Sequence, residues 1–438
     1  MQKFDILIVG GGMVGLTLAL ALRQHHNNEP LKIAIVDTQQ PTALDEQAEL
    51  RVSAINLASQ HIFANLGVWN DIKTSRLQSY QHMHIWDKDG YGQLNFDHSD
   101  VNEKDLGWII ENKVIRNALW QKAQADDGIH FFTEQALTNI SMGENEVFAS
   151  FENGAPILAN LVVGADGANS WVRKQIDMPI TFQDYDHHAL VATVECEQGH
   201  NNTAWQVFLA EGPLAFLPLF APNSAPHFED NIEASGKNKV EAQQCSIVWS
   251  TTPDEAQRLQ ALSNEDFSKE ITAASDGKLG KITLKSERVS FPLTMRLAHE
   301  FVKNKVVLVG DAAHTIHPLA GQGVNLGLLD AASLAQTLTL QLEQEKDLAD
   351  PVALNEYSRW RKSEATEMIT AMAAIKTLFS KKPFQIPTTP SKLIRGLGLS
   401  ILDNFTPAKN VMIKQALGFK THLPELAKAK DILHEEAD

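Results

Sequence analysis

The sequence predicts an α/β fold: a Rossmann-like nucleotide-binding domain, an inserted, mostly antiparallel β-sheet domain, and a helical C-terminal region. Three observations carry this prediction. Residues 4–37 follow the order strand, glycine-rich turn, helix and strand; β-branched segments fill the middle of the chain; and the residues after Val324 are mostly helical in character. We expect a discontinuous nucleotide-binding domain (residues 1–75, 101–180 and 286–350), a second domain (76–100 and 181–285) and a C-terminal helical region (351–438).

The predicted elements follow from apolar runs and turn residues. Residues 4–9 are nearly continuously apolar, which is typical of a parallel strand buried on both faces. A Leu- and Ala-rich helix at 16–23 and a strand at 32–37 follow. Further along, we expect a helix at 109–125, strands at 157–163, 189–195, 204–209, 246–250 and 305–309, and a flexible loop at 221–244.

Composition excludes several classes of protein. The formal charge of −16 over 438 residues argues against nucleic acid as the main partner, because a phosphate backbone requires a basic face. Cys196 and Cys245 form no CxxC pattern, so we expect neither a disulfide framework nor a metal site, and a reducing cytoplasm fits. We find no secretory signal and no apolar run of roughly 18 residues, so we expect no membrane-spanning helix.

The first motif is residues 10–15, Gly-Gly-Gly-Met-Val-Gly, between the first strand and the first helix. In this GxGxxG pattern, Gly10 permits a tight turn, Gly12 lets the backbone approach a pyrophosphate, and Gly15 lets helix and strand pack closely. Asp37, about 20 residues on at the end of the second strand, suits ribose hydroxyls. The motif predicts dinucleotide binding without distinguishing NAD from FAD.

The second motif is residues 164–173, directly after a predicted strand. Asp166 and Gly167 suit a ribose or flavin region that approaches the backbone closely. The same residues also suit a plain turn with a helix cap at Ser170. From the residues alone, both interpretations stay open.

The third motif is residues 310–325, between the strand at 305–309 and a helix that begins near Val324. Asp311 suits sugar or ribityl hydroxyls, while Gly321 and Gly323 let backbone N–H groups approach a ring. The helix would direct the positive end of its dipole toward that ring.

These motifs, in this order and at these separations, resemble the flavin-dependent aromatic hydroxylases of the para-hydroxybenzoate hydroxylase class, and most closely the ubiquinone-biosynthesis hydroxylases. The resemblance spans most of the chain; it is carried by residues 51–56, 66–69, 110–112, 212–213, 216–219, 291–293 and 310–325. Residues 86–89 and 187–193 are most similar to the hydroxylase that acts at C5 of the polyprenylphenol ring.

The resemblance implies one FAD site whose ligands come from all three motifs. The ADP half would be held by Gly10, Gly12, Gly15, Asp37 and Arg51; the flavin would be lined by Asp166 and Gly167; and the ribityl chain and ring would be held by Gly310, Asp311, Pro318, Gly321, Gly323 and Asn325. Glu111 either contacts the flavin or simply begins a helix, and Arg51 is alternatively a surface charge.

The resemblance also implies a reaction. NAD(P)H would bind transiently and reduce FAD, and O2 would form a peroxide at the flavin C4a carbon that a phenol attacks. The protein would orient the phenol and exclude water. No catalytic acid or base is identified; His314 and His317 are candidates for proton transfer, and a structural role beside the flavin is the favoured alternative.

The implied substrate is a phenol with an isoprenoid tail, bound between flavin and inserted sheet. Phe216, Leu217, Pro218 and Phe291 either line that pocket or belong to the core. Residues 393–414 mix apolar and basic side chains and either contact a membrane or quinone-biosynthesis proteins, or pack on the flavin domain. The competing functions are hydroxylation at another ring position, quinone or alkene reduction, and a non-catalytic assembly role.

Overall fold

The computed structural model describes residues 1–24, 30–45, 47–90, 92–220, 242–316, 323–379, 417–418, 420 and 422–429, with side chains described as far as residue 373 in the last helix. The helices of this part of the chain are α1 (Met13–Arg23), α2 (Leu57–Asn65), α3 (Trp69–Ser75), α4 (Asn112–Gln124), α5 (Trp171–Gln175), α6 (Pro253–Ala261), α7 (Asn264–Ala274), α8 (Gly323–Glu343) and α9 (Pro351–Phe379).

The first sheet has a parallel centre, as the apolar runs predict. Its strands are β1 (Gln2–Val9), β2 (Ile33–Asp37), β8 (Ile129–Thr133), β9 (Leu137–Met142), β10 (Val147–Phe151), β11 (Ile157–Gly164), β18 (Val302–Lys303) and β19 (Val306–Leu308). The parallel strands lie in the order β19-β11-β1-β2-β8. Ile6, Leu7 and Ile8 have no exposed surface, because β1 is central and covered on both faces.

The second sheet is mostly antiparallel. Its strands are β5 (His82–Asp87), β6 (Gln93–Asp97), β12 (Ile180–Cys196), β13 (Thr203–Leu209), β14 (Gly212–Pro218), β15 (Gln243–Thr251), β16 (Ile282–Leu284), β17 (Val289–Ala298) and β20 (His314–Thr315). Strand β17 pairs with β12 over most of its length. The second sheet therefore extends past the predicted boundary at residue 285. Of the predicted loop at 221–244, residues 221–241 lie outside the described part, and Gln243 already belongs to β15.

A small third sheet corrects one prediction. Strand β7 (Gly107–Glu111) lies between β3 (Val52–Ile55) and β4 (Leu77–Tyr80), antiparallel to both. The helix predicted to start at Ile109 starts at Asn112 instead. Ile109 and Ile110 are buried between their strand neighbours, and a short apolar run before a helix does not by itself distinguish strand from helix.

Helices α8 and α9 confirm the helical character predicted after Val324 as far as residue 379. A short 3₁₀ turn at Glu425–Ala427 lies against α2 and α8. The predicted amphipathic segment at 393–414 lies outside the described residues. Among the helices that are described, none combines the length and the apolar character needed to cross a bilayer.

Cys196 and Cys245 are free thiols with no exposed surface, as expected of small apolar residues on strands. They lie diagonally across β12 and β15, since Val194 is the direct partner of Cys245. Their sulfur atoms are 3.9 Å apart.

Candidate functional site: a flavin cleft

The first glycine turn connects β1 to α1 and leaves the start of the helix open. Gly10 has φ +114°, and a Cβ atom there would lie 2.4 Å from the carbonyl oxygen of Ala165. A Cβ atom on Gly15 would lie 2.0 Å from the Gly10 carbonyl oxygen, whereas one on Gly12 would meet no atom within 4 Å. Gly12 is the N-cap of α1 and gives no side-chain cap. The helix therefore presents uncapped N–H groups to open space, which fits a pyrophosphate.

Asp37 lies at the edge of this turn, at the end of β2. Its Oδ2 accepts a hydrogen bond from the Gly11 N–H at 2.7 Å, and Oδ1 accepts one from Gln39 N–H at 2.8 Å. The contact of Asp37 with a ribose stays a prediction, and its position beside the open start of α1 is compatible with it.

Arg116 of α4 also belongs to this end of the cleft, although nothing in the glycine motif points to it. Its Nε donates to the Gly11 carbonyl at 2.9 Å, and its NH2 lies 3.4 Å from Asp37 Oδ2. The guanidinium also lies over the Trp120 ring. Arg116 is more than 100 residues from Gly11 in sequence, so only the packing of α4 on α1 brings the two together.

Glu111 and Arg51 lie at the junction between the small sheet and the second sheet. Glu111 is 5% exposed, and its Oε2 accepts hydrogen bonds from Glu49 N–H at 2.8 Å and Arg76 NH2 at 2.9 Å. Burial raises the pKa of the Glu111 carboxyl, and Arg76 only partly offsets this. Arg51 is exposed and stacks over the Phe291 ring at 5.4 Å. Arg51, directly before β3, thus contacts β17 of the second sheet.

The second motif turns immediately after β11, beside the first. Asp166 Oδ2 accepts hydrogen bonds from the N–H groups of Trp171 (2.7 Å) and Val172 (3.0 Å) and so caps α5. Ser170 Oγ also caps this helix, accepting from Arg173 N–H. Within the described residues Asp166 Oδ1 is buried without a hydrogen-bond partner, and Gly167, at φ +78°, faces open space. The turn therefore provides a cap and also has a carboxylate oxygen left for a ligand hydroxyl.

The third motif forms a tight turn between β19 and β20. Gly310 has φ +59° and packs against Val14 of α1. Asp311 is exposed, whereas its neighbours from Gly310 to His314 are buried. Gly323 faces open space at the start of α8. His317, Pro318 and Gly321 lie outside the described residues.

Two predicted site residues of this motif are fully engaged with protein. His314 is 2% exposed, and its Nε2 lies 2.6 Å from Asp330 Oδ2. Asn325 donates from Nδ2 to the Ala54 carbonyl at 2.8 Å and accepts at Oδ1 from Asn56 N–H at 3.3 Å. The contact with Asp330 favours the structural role for His314. The contacts of Asn325 connect the start of α8 to the end of β3.

Direct contacts join the three motifs into one cleft. Gly10 lies against Ala165, Gly310 lies against Val14, and Arg173 NH1 donates to the Ala312 carbonyl at 2.7 Å. All three turns follow the carboxyl ends of neighbouring parallel strands (β1, β11 and β19), which is the edge where open α/β sheets bind ligands. The open positions at Gly12, Gly167 and Gly323 and the free Asp166 oxygen fit a long, hydroxyl-rich dinucleotide.

A family model described as "FAD binding domain" matches residues 3–372. The chain belongs to this FAD-binding family. FAD is therefore its cofactor, and the protein is an FAD-dependent monooxygenase of the ubiquinone-biosynthesis hydroxylase group. The chain is 32% identical over 419 residues to the 3-demethoxyubiquinol 3-hydroxylase of Escherichia coli K12, covering 95% of this chain and 99% of that protein. It is 29% identical to the ubiquinone biosynthesis monooxygenase COQ6 of Drosophila melanogaster, covering 95% and 90%.

Solved structures show the same fold. The p-nitrophenol 4-monooxygenase PnpA from Pseudomonas putida DLL-E4 superposes with a TM-score of 0.73 at 16% identity, covering 97% of this chain and 100% of that one. The probable FAD-dependent monooxygenase pqsL from Pseudomonas aeruginosa gives 0.71 at 20% identity, covering 91% and 100%. At this identity the likeness extends to the fold alone.

The candidate substrate residues separate onto two faces of β14. Phe216 has no exposed surface and packs in the core beneath α6 and α7 with Leu259 and Phe267. Leu217 lies on the opposite face, in a cluster with Ala54 and Ile109 of the small sheet. The alternation of side chains along a strand accounts for this separation. Pro218 is buried and Phe291 lies under Arg51.

A cavity of about 280 Å³ lies between the small sheet and the second sheet. Its walls include Leu77, Ile109, Leu219 and Phe220, with Arg76, Glu111 and Lys285 among the charged lining groups. Leu219 and Phe220 directly follow the β14 residues predicted from sequence. None of the four residues predicted from sequence is among the lining residues of this cavity, and their role toward a substrate stays a prediction.

Proposed function

We propose that this protein hydroxylates the aromatic ring of a polyprenylphenol intermediate in ubiquinone biosynthesis, at C5, using NAD(P)H and O2. The observation that carries the proposal is the convergence of three glycine turns into one cleft at the carboxyl edge of the first sheet. The E. coli and Drosophila relatives are both named for hydroxylation or monooxygenation in ubiquinone biosynthesis, and both match over nearly the whole chain.

The cavity beside the small sheet fits a phenol with an apolar tail. Leu77, Ile109, Leu219 and Phe220 are apolar lining residues, and the Arg76–Glu111 pair is among the polar ones. Such a combination suits a substrate with a hydroxylated ring and a hydrocarbon substituent. The walls would orient the ring and keep water away from it.

FAD, when bound, supplies the electron transfer from NAD(P)H to O2 that the hydroxylation requires. The chain's own part is to hold the cofactor. The α1 N–H groups and Asp37 would hold its ADP half, whereas Asp166 and Asp311 would meet hydroxyl groups nearer the ring. NAD(P)H would bind transiently, because the described strands and helices contain no second glycine turn of the Rossmann type.

The competing candidate function is hydroxylation at a ring position other than C5, and one observation favours this alternative. The E. coli relative is named 3-demethoxyubiquinol 3-hydroxylase, which names position 3 rather than C5. Both candidates share the cofactor and the cleft, so they differ only in which carbon faces the flavin.

The deciding experiment is gene deletion followed by mass spectrometry of the quinone precursors that accumulate. An accumulated precursor that lacks the C5 oxygen supports the proposal, whereas one already oxygenated at C5 rejects it. Purified protein with NAD(P)H and labelled O2 then tests the reaction class. A product without the label excludes hydroxylation in favour of reduction, and no NAD(P)H oxidation with substrate and partner proteins present favours an assembly role.

A further inference from the structure

A buried carboxylate lies directly behind the turn that carries Asp311. Asp330 of α8 has no exposed surface. Its Oδ2 accepts hydrogen bonds from Gly310 N–H at 2.9 Å and from His314 Nε2 at 2.6 Å, while Oδ1 accepts from Arg361 Nε of α9 at 2.6 Å. Arg361 also donates to the Leu326 carbonyl at 3.3 Å. The carboxylate is thus held by groups from both ends of the turn and from α9.

The contacts of this carboxylate favour its charged form. Burial alone would raise the pKa of Asp330, but His314 and Arg361 outweigh burial and hold the pKa below its ordinary value. An ionised carboxylate only accepts hydrogen bonds, so His314 carries its proton on Nε2. That nitrogen is therefore unavailable as a base toward a substrate.

The two hydrogen bonds to Asp330 Oδ2 come from the first and the last residue of the 310–314 turn. One fixes the backbone of Gly310, whose φ of +59° is a conformation that few other residues adopt. The other fixes the side chain at the far end, His314. Between them only Asp311 is exposed, so its direction depends on both ends of the turn.

We propose that Asp330 is a positioning residue for FAD: with His314 and Arg361 it holds the 310–314 turn so that Asp311 faces the cofactor, and it couples α9 to the cofactor site. The side chains of all three residues are buried, with at most 2% of their surface exposed. The inference rests on the FAD-binding cleft and is independent of the substrate.

The test is titration of flavin-free full-length protein with FAD, followed by flavin fluorescence, for the parent and for D330N, H314Q, R361M and R361K. Each protein is also melted with and without FAD, because a ligand raises the melting temperature according to its affinity for the folded state. The control is Lys362→Met, the next residue on α9, whose Nζ bonds only the His299 carbonyl among the described groups.

A positioning role predicts a Kd for FAD at least about tenfold higher in D330N and R361M, a smaller increase in H314Q, and near-parental affinity in R361K and K362M. The FAD-induced rise in melting temperature shrinks in the same order. Parental FAD affinity in D330N and R361M, with both melting curves lowered equally, would overturn the proposal, because the network would then serve stability alone. If D330N does not fold, H314Q and R361M against R361K decide the question.

Discussion

Gly12 and Gly15 lie in the same turn, but their surroundings differ. The two positions therefore require glycine for different reasons. At Gly15 the obstacle is protein, because a Cβ atom there would lie only 2.0 Å from the Gly10 carbonyl oxygen. At Gly12 the space is open, and φ is −83°, a value that any residue adopts. A side chain at residue 15 therefore disturbs the helix–strand packing, whereas one at residue 12 disturbs only a ligand.

We expect Gly15→Ala to destabilise the flavin-free protein by about 1–3 kcal/mol, the usual range for overpacking. Gly12→Ala is expected to leave the melting temperature of the flavin-free protein near the parental value while weakening FAD binding at least about tenfold, because its methyl group would occupy the space of the pyrophosphate. Melting curves and FAD titrations of both variants check this pair. Parental FAD affinity in Gly12→Ala would contradict the pyrophosphate position.

Glu111 makes a pH-dependent contribution whose sign is set by its burial. Because the pKa of this carboxyl is raised in the folded protein, the folded state keeps the proton over a pH window that starts near the ordinary value of 4.5. In that window the folded state binds more protons than the unfolded state, so its stability falls as pH rises. Glu111→Gln does not titrate at this position.

We therefore expect the parent to lose stability relative to Glu111→Gln as the pH rises from about 4.5 toward 7. Urea unfolding of both proteins at several pH values in this range measures the difference. If the stability of the parent instead rises relative to the variant over this range, the Arg76 bond lowers the Glu111 pKa by more than burial raises it.

At the scale of elements, the second motif forms the helix cap that the sequence offered as one alternative, and it leaves one carboxylate oxygen without a partner among the described residues. Helix α5 receives one cap from Ser170 and another from Asp166, whose second oxygen is free among the described residues. A helix of this length depends on such caps because it has few internal hydrogen bonds.

Ser170→Ala is expected to cost about 1 kcal/mol of stability, the usual cost of losing a cap, without changing FAD affinity. Asp166→Ala is expected to cost a similar amount and also to weaken FAD binding several-fold. Chemical denaturation and FAD titration of the two variants, run together, separate the cap from the ligand. Equal FAD affinity in both would leave Asp166 as a cap only.

The strands and glycine turns were predictable because their signals are local. Apolar runs ending in glycine or aspartate identified β1, β2, β11 and β19. The predicted start of α4 was wrong, because buried apolar residues such as Ile109 and Ile110 suit a strand and a helix equally. The sequence also could not show which face of β14 each side chain occupies, since Phe216 and Leu217 are both apolar. Only the packing shows that Leu217 faces the small sheet.

Contacts between distant residues account for the rest of the site. Asp330 and Arg361 are 31 residues apart on two helices, and Arg116 is 105 residues from Gly11. No motif spacing links such pairs. Each pair forms only because the tertiary structure brings the two residues together.

At the scale of the whole molecule, the second sheet has a core of its own, separate from that of the first sheet. Both thiols lie in it with no exposed surface. A thiol reagent therefore reaches Cys196 and Cys245 only when this sheet opens.

We expect both thiols to react at least about a thousandfold more slowly in the native protein than in denaturant, and together rather than one at a time. Timed labelling with a chromogenic disulfide reagent, with and without guanidinium, measures this. Rapid native labelling of one thiol would show that β12 and β15 separate independently of the rest of the sheet.

The contact between Arg173 and the Ala312 carbonyl has a consequence for the order of events during synthesis. The two residues are 139 positions apart, and the whole of β12 to β17 is made between them. Strand β19, which pairs with β11, leaves the ribosome after those strands. A nascent chain that already carries its first glycine turn thus has no complete cleft until Gly323 has been made, and the Arg361 contact becomes possible only once α9 has followed. We therefore expect cofactor loading to come late in the life of the new chain, after the strands of the second sheet up to β17 have been made.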